Sequence, residues 1–97
     1  MIRSCRDAAA KDLFYGRSTK AARKVLPRTL WRVAGKKLDA VDSAELLDDL
    51  SIPPGNRLEA LKGDREGQHS IRIKDQYRVC FRWAESGPED VEVVDYH

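Results

Sequence analysis

Two runs in the second half of the chain alternate apolar and polar positions with a period of two. In residues 69–73, His69, Ile71 and Ile73 fall on one side and Ser70 and Arg72 on the other, the pattern of a half-buried strand. In residues 77–83, Tyr77, Val79, Phe81 and Trp83 alternate with Arg78, Cys80 and Arg82. The polar stretch Lys74-Asp75-Gln76 supplies a turn, and its length decides which side chains share a face. A two-residue loop would pair residue 71 with 80 and send the two apolar sets to opposite faces. Three loop residues pair 71 with 79 and 72 with 78, so that each face is uniform. A one-residue slip would turn one strand's apolar set to water, so the pattern predicts the three-residue loop. Arg72, Arg78 and Arg82 then share the face away from the core, with Ser70 and Cys80 between them. Planar guanidinium donors gathered in this way suit phosphate, although arginine is also an ordinary residue for the wet face of an antiparallel sheet.

Upstream, the apolar period lengthens to that of a helix. Ile2 to Ser4 is expected as a short first strand, followed by a helix through about Tyr15 that offers Ala8, Ala9, Leu13 and Phe14 for packing and stops at Gly16. Ser18 to Lys24 is expected as a polar, basic connection or a frayed turn. Pro27 suits the first turn of the next helix, where its missing N–H is no loss. From Pro27 to about Ala40, Leu30, Val33, Ala34, Leu38 and Val41 recur at helical spacing. Arg28, Arg32 and Lys36, four apart, form a basic stripe beside that apolar face. Ser43 is expected to cap a short third helix carrying Leu46, Leu47 and Leu50, and residues 51–56, SIPPGN, break the pattern. Arg57 to Leu61 reads as a strand, residues 62–67 as a charged turn, Ser86-Gly87-Pro88 as the last turn and Val91 to Tyr96 as the final strand. Helices first and strands second predict an α+β fold, with the helices covering one face of a small antiparallel-rich sheet.

Composition narrows the class. Ninety-seven residues, 41% apolar and 35% charged, predict one globular domain over 1–97 with a single modest core. No stretch approaches the roughly 18 consecutive apolar residues of a membrane span, and the charged N-terminal stretch lacks the apolar region of a signal peptide. A cytoplasmic protein without a membrane partner is expected. Cys5 and Cys80 lack metal-ligand spacing and are expected as packed, reduced thiols. Net charge is only +2, but it is segregated: Arg17 to Lys37 holds eight Lys or Arg and no acid, Asp39 to Asp49 five acids and no base, and Glu85 to Asp95 only acids. A basic side is a footprint for nucleic acid; the same charges also suit a solvated helix face turned toward an acidic protein.

Candidate chemistry gathers at Asp95, Tyr96 and His97, whose carboxylate, phenol and imidazole can hold, orient or move protons. No HExxH, paired Cys/His cluster, Walker loop or GxSxG occurs, and no metal or cofactor is expected. Lys62, the hairpin arginines and the His/Tyr/Asp group together supply phosphate-charge stabilisers and proton-transfer groups. That set suits cleavage of RNA by its own 2′-hydroxyl, which needs an activated 2′-OH, a stabilised phosphorane and a protonated leaving oxygen. A non-catalytic module using the same arginine face to bind RNA or an acidic protein is the competing expectation.

The motifs Leu61-Lys62-Gly63-Asp64-Arg65-Glu66-Gly67, Ser70-Ile71-Arg72-Ile73, Gln76-Tyr77-Arg78-Val79-Cys80-Phe81 and Val94-Asp95-Tyr96-His97, in this order, resemble the HigB toxins of bacterial type II toxin–antitoxin modules, a branch of the RelE-like ribonucleases. The resemblance runs over nearly the whole chain. It implies the RelE-like fold, with the active site on the sheet face opposite the helices. It implies a metal-independent endoribonuclease that enters the ribosomal A site, cuts messenger RNA there with a preference for adenine-containing codons, and so inhibits translation. A HigA-type helix-turn-helix antitoxin, in a toxin–antitoxin heterotetramer, is the implied protein partner. Carried over by position, Lys62 and Arg78 serve phosphate and transition-state charge, and Asp95, Tyr96 and His97 serve proton transfer and substrate orientation, with His97 and Asp95 both open as base or acid. Arg65, Arg72 and Arg82 are expected to bind substrate. Lys24, Arg28, Arg32 and Lys36 are expected to meet ribosomal RNA or the antitoxin. Relatives commonly carry an aromatic residue and a tryptophan where this chain has Gln68 and Tyr77.

Overall fold

The computed structural model describes residues 1–95. Three helices, α1 (Ala8–Phe14), α2 (Lys20–Val25) and α3 (Trp31–Ser43), precede four strands, β1 (Glu59–Ala60), β2 (Gln68–Lys74), β3 (Tyr77–Ala84) and β4 (Gly87–Asp95). The strands form one antiparallel sheet in the order β1-β2-β3-β4. The architecture is the expected α+β arrangement. Among the described residues, no helix is long and apolar enough to cross a membrane.

The central hairpin has the expected register, with Ile71 opposite Val79 and Arg72 opposite Arg78. Its loop differs. Lys74 pairs with Tyr77 across a two-residue turn, and the ladder shifts between Arg72 and Lys74. A bulge absorbs the extra residue, so a tight turn coexists with uniform faces. Asp75 in that turn takes φ +49, a backbone that aspartate tolerates better than most residues.

Helix α1 begins where the Asp7 carboxylate accepts the Ala10 N–H at 3.0 Å, and Gly16, at φ +71, follows it. Residues 18–24 are not the expected connection. The Thr19 hydroxyl accepts from Ala22 N at 3.2 Å and donates to Asp12 at 2.8 Å, which caps α2 and ties it to α1. This six-residue helix buries Ala22, too little apolar surface to show a periodicity. After Pro27 the chain makes a 3-10 turn over Arg28–Leu30 before α3 proper, which runs on through Ser43. Ser43 therefore ends a helix and does not cap one. The expected third helix is a 3-10 turn, Leu47–Ser51, whose preceding N–H groups, those of Glu45 and Leu46, are accepted by the Asp49 carboxylate at 3.1 and 3.0 Å.

Ile2 to Ser4 forms no strand. The chain instead runs beside β4 through one parallel bridge, Cys5 with Val91, supported by Arg3 N to Pro88 O, Val91 N to Ser4 O and Arg6 N to Val91 O at 2.8, 3.1 and 2.9 Å. Gly87, at φ +132, opens β4 four residues before the expected start; a Cβ there would lie 2.7 Å from the Met1 carbonyl oxygen. Beneath the helices, Ile71, Val79, Phe81 and Val91 are fully buried with Leu26, Leu38 and Val41. This packing leaves the other sheet face for polar side chains.

Candidate active site on the open sheet face

Residues directly opposite in a sheet share a face. Pairing places Glu59, Ser70, Cys80 and Glu92 in one row across all four strands, away from the helices. The sequence pattern predicts a wet face here; the structure shows a buried polar layer. Ser70 and Cys80 are inaccessible, and Gln68, Arg78 and Glu92 are nearly so. Small side chains at Ser70 and Cys80 leave room for arginines to lie across the sheet, and those arginines exclude water while supplying hydrogen bonds.

Arg78 is the centre of this layer. Its Nε donates to Ser70 Oγ at 2.7 Å, and its Nη2 donates to the Arg57 carbonyl at 2.7 Å. The same Nη2 stands 3.3 Å from Glu59 Oε1, and the Glu59 side chain is 53% exposed. Arg57 itself adopts φ +48, an uncommon conformation for a residue other than glycine. One edge of Arg78 is thus locked by neutral acceptors, and a solvent-reaching carboxylate meets the guanidinium from outside.

Arg65 enters from the 3-10 turn Gly63–Arg65 and donates to Glu92 Oε1 at 2.5 Å and Gln68 Oε1 at 3.1 Å. Arg6 Nε lies 3.8 Å from the other Glu92 oxygen. Arg72 and Arg82 stand at the two ends of the face, against Asp75 at 3.7 Å and Asp90 at 3.8 Å. Gly67, at φ +90, admits Arg82: a Cβ would lie 2.8 Å from its guanidinium. Lys62 is exposed just before the Gly63 turn.

The structure therefore brings Arg78 and Arg65 into one polar layer, with Arg72, Arg82 and Lys62 around it. Asp95 is placed elsewhere. It pairs with Tyr77, which packs on the core, and it lines a cleft with Arg23, Lys24 and Pro27 on the α2 side. Tyr96 and His97 lie outside the described residues. Lys24, Arg28, Arg32 and Lys36 are exposed along α2, the 3-10 turn and α3, and Arg28 covers the Trp31 ring at 5.5 Å. Sequence reasoning missed Glu59 and Glu92. Registering residues 57–61 against β2 would have set Glu59 opposite Ser70 and exposed its relation to Arg78.

Burial pushes the Cys80 thiol up to about 11, against the smaller opposing influence of Arg65. At pH 8 its thiolate share is then roughly a hundredfold below that of an unperturbed thiol. Iodoacetamide at pH 8 should leave Cys80 unmodified in the native protein and modify it in urea, as read by mass spectrometry. Because the raised value favours the protonated form in the fold, Cys80 also contributes stability below pH 9 that is lost as pH rises toward 11.

A family model described as the RelE-like toxin of type II toxin–antitoxin system HigB matches residues 6–97. The chain belongs to this family. Toxin HigB-1 of Vibrio cholerae serotype O1 is 40% identical over 62 residues, 64% of this chain and 65% of that protein. Endoribonuclease HigB of Proteus vulgaris is 33% identical over 61 residues, 63% of this chain and 65% of that protein. The chain thus spans just under two thirds of the length of these curated relatives. Gln68 and Tyr77, where the resemblance leads one to expect an aromatic residue and a tryptophan, have structural places. Gln68 accepts from Arg65 inside the polar layer, and Tyr77 packs against the core beside Asp95.

Proposed function

We propose that residues 1–97 act as one toxin domain, a ribosome-dependent, metal-independent endoribonuclease that cuts messenger RNA in the ribosomal A site. The Arg78–Glu59 pair carries this reading. A phosphate bound at Arg78 meets a guanidinium already oriented by Ser70 and the Arg57 carbonyl, so little reorganisation accompanies charge development. Glu59, on the same face and exposed, takes the proton from the 2′-hydroxyl. The 2′-oxygen attacks the adjacent phosphorus, Arg78 and Lys62 balance the added charge, and the 5′-oxygen leaves with a proton from His97. The products are a 2′,3′-cyclic phosphate and a 5′-hydroxyl. Tyr96 orients substrate, and Arg72 and Arg82 bind the flanking phosphates.

The basic residues Lys24, Arg28, Arg32 and Lys36 face ribosomal RNA in this scheme. The partner that silences the toxin is a HigA-type helix-turn-helix antitoxin in a heterotetramer. The name of the Proteus vulgaris relative, an endoribonuclease, supports the activity. Action in the cytoplasm follows from a ribosomal substrate.

The test is cleavage of a ribosome-bound messenger with EDTA present. Wild type should cut at the A-site codon, and Lys62→Ala should slow it by about 10- to 100-fold, the loss of one exposed charge stabiliser. A folded wild type that binds ribosomes and never cuts would instead be a binding module using the same face.

A further inference from the structure

A cleft of about 510 Å³ lies between the N-terminal segment and α1, lined by Arg3, Cys5, Arg6, Lys11, Phe14 and Tyr15 among others. That size suits one small ligand moiety, since such sites run from roughly 300 to 1,000 Å³. Three of its residues are cationic. Its one acid, Asp7, is already accepting the Ala10 N–H. Tyr15 is 59% exposed, its ring centroid 5.1 Å from that of Phe14 and 5.0 Å from the Arg17 guanidinium. Arg17 also faces Asp12 at 3.7 Å, which holds it beside the ring. An exposed phenol ring flanked by guanidinium is a platform for a nucleobase, which stacks on aromatic and arginine planes alike.

Arg6 links the cleft to the polar sheet face. Cys5 bridges Val91, the neighbour of Glu92, while Arg6 lines the cleft and reaches Glu92, which Arg65 holds from the other side. A strand of RNA leaving Arg78 across this row therefore meets Arg6 first and Tyr15 beyond it. An acidic peptide would satisfy the cations but bring no base to stack on the exposed ring.

We infer that this cleft is a subsite for a nucleotide of single-stranded RNA flanking the segment on the Arg78 face, its base on Tyr15 and its phosphate among Arg3, Arg6 and Lys11. The inference rests on the ribonuclease reading and extends it to a site that none of the family motifs covers. Tyr15 and Lys11 are exposed, so substitutions there leave the core untouched.

The experiment is equilibrium binding of a short fluorescein-labelled oligoribonucleotide, beside wild-type cleavage of a ribosome-bound messenger. Tyr15→Ala and Lys11→Glu should each weaken binding about tenfold, and Tyr15→Phe should bind as wild type does. An RNA carrying 5-iodouridine should photo-crosslink to Tyr15. Wild-type affinity in both Tyr15→Ala and Lys11→Glu, or no measurable binding by wild type, overturns the subsite whether or not the messenger is cut. Loss of polyglutamate binding with RNA binding intact overturns it in favour of an acidic protein. RNA binding that depends on Tyr15 without cleavage leaves the subsite standing and removes the ribonuclease reading.

Discussion

Arg78→Ala should lower single-turnover cleavage by more than about 1,000-fold and destabilise the fold by about 2–4 kcal/mol. Both effects come from one geometry. The guanidinium satisfies Ser70 Oγ, which is inaccessible to water, and the Arg57 carbonyl, 21 residues away in sequence. Alanine leaves that hydroxyl without its partner and opens space inside the polar layer, and each loss is destabilising. Arg78→Lys separates charge from shape. An ammonium keeps the positive charge but cannot span both acceptors as a planar fork does, so cleavage should still fall at least about 100-fold while the urea midpoint drops less. If a folded Arg78→Lys protein cuts within about tenfold of wild type, the oriented guanidinium is not what stabilises the transition state.

Glu59→Gln should slow cleavage by about 100- to 10,000-fold, the range for losing a positioned general base, with almost no change in thermal stability. Its side chain is half exposed and meets Arg78 at 3.3 Å, and the buried guanidinium keeps Ser70 Oγ and the Arg57 carbonyl as acceptors when Glu59 loses its charge. The amide keeps the shape and an oxygen for Arg78 but cannot accept the 2′-hydroxyl proton. Glu59→His should restore part of the rate, with its acid-side decline following imidazole protonation near about pH 6.5. Wild-type turnover in Glu59→Gln would reduce Glu59 to a counter-ion and return the base to the Asp95-Tyr96-His97 group. The two variants also separate from each other, because Arg78→Ala lowers both rate and stability while Glu59→Gln lowers rate alone.

The family was legible in the sequence because its motifs are local strings, 61–67 and 94–97, that do not depend on how the chain folds. The site was legible only in part. Arg65, in the 61–67 string, and Arg78, in the 76–81 string and on the hairpin's arginine face, were named as substrate and phosphate groups, and both lie in the polar layer. Yet their burial, and the acids that hold or face them, did not show. Glu59 sits in a strand of only two paired residues, too short for an alternating pattern to reveal its face. Helix α2 escaped notice for a related reason: its cap, Thr19, reads as a connection residue until Asp12 and Ala22 are beside it.

By itself, the sequence determined the two faces of the central hairpin, the register of Ile71 with Val79 and Arg72 with Arg78, the order of helices before strands, and membership of the toxin family. A period of two and the cost of exposing an apolar set specify the first two without reference to anything distant. Only the tertiary structure decided that the arginine face is a buried polar layer, that Glu59 meets Arg78, and that Asp95 lies on the α2 side. Those facts depend on where β1, the 62–67 turn and the N-terminal segment land against the sheet. Such placements arise from contacts between residues far apart in sequence, and they follow from packing and hydrogen-bond satisfaction in the folded chain rather than from any local pattern.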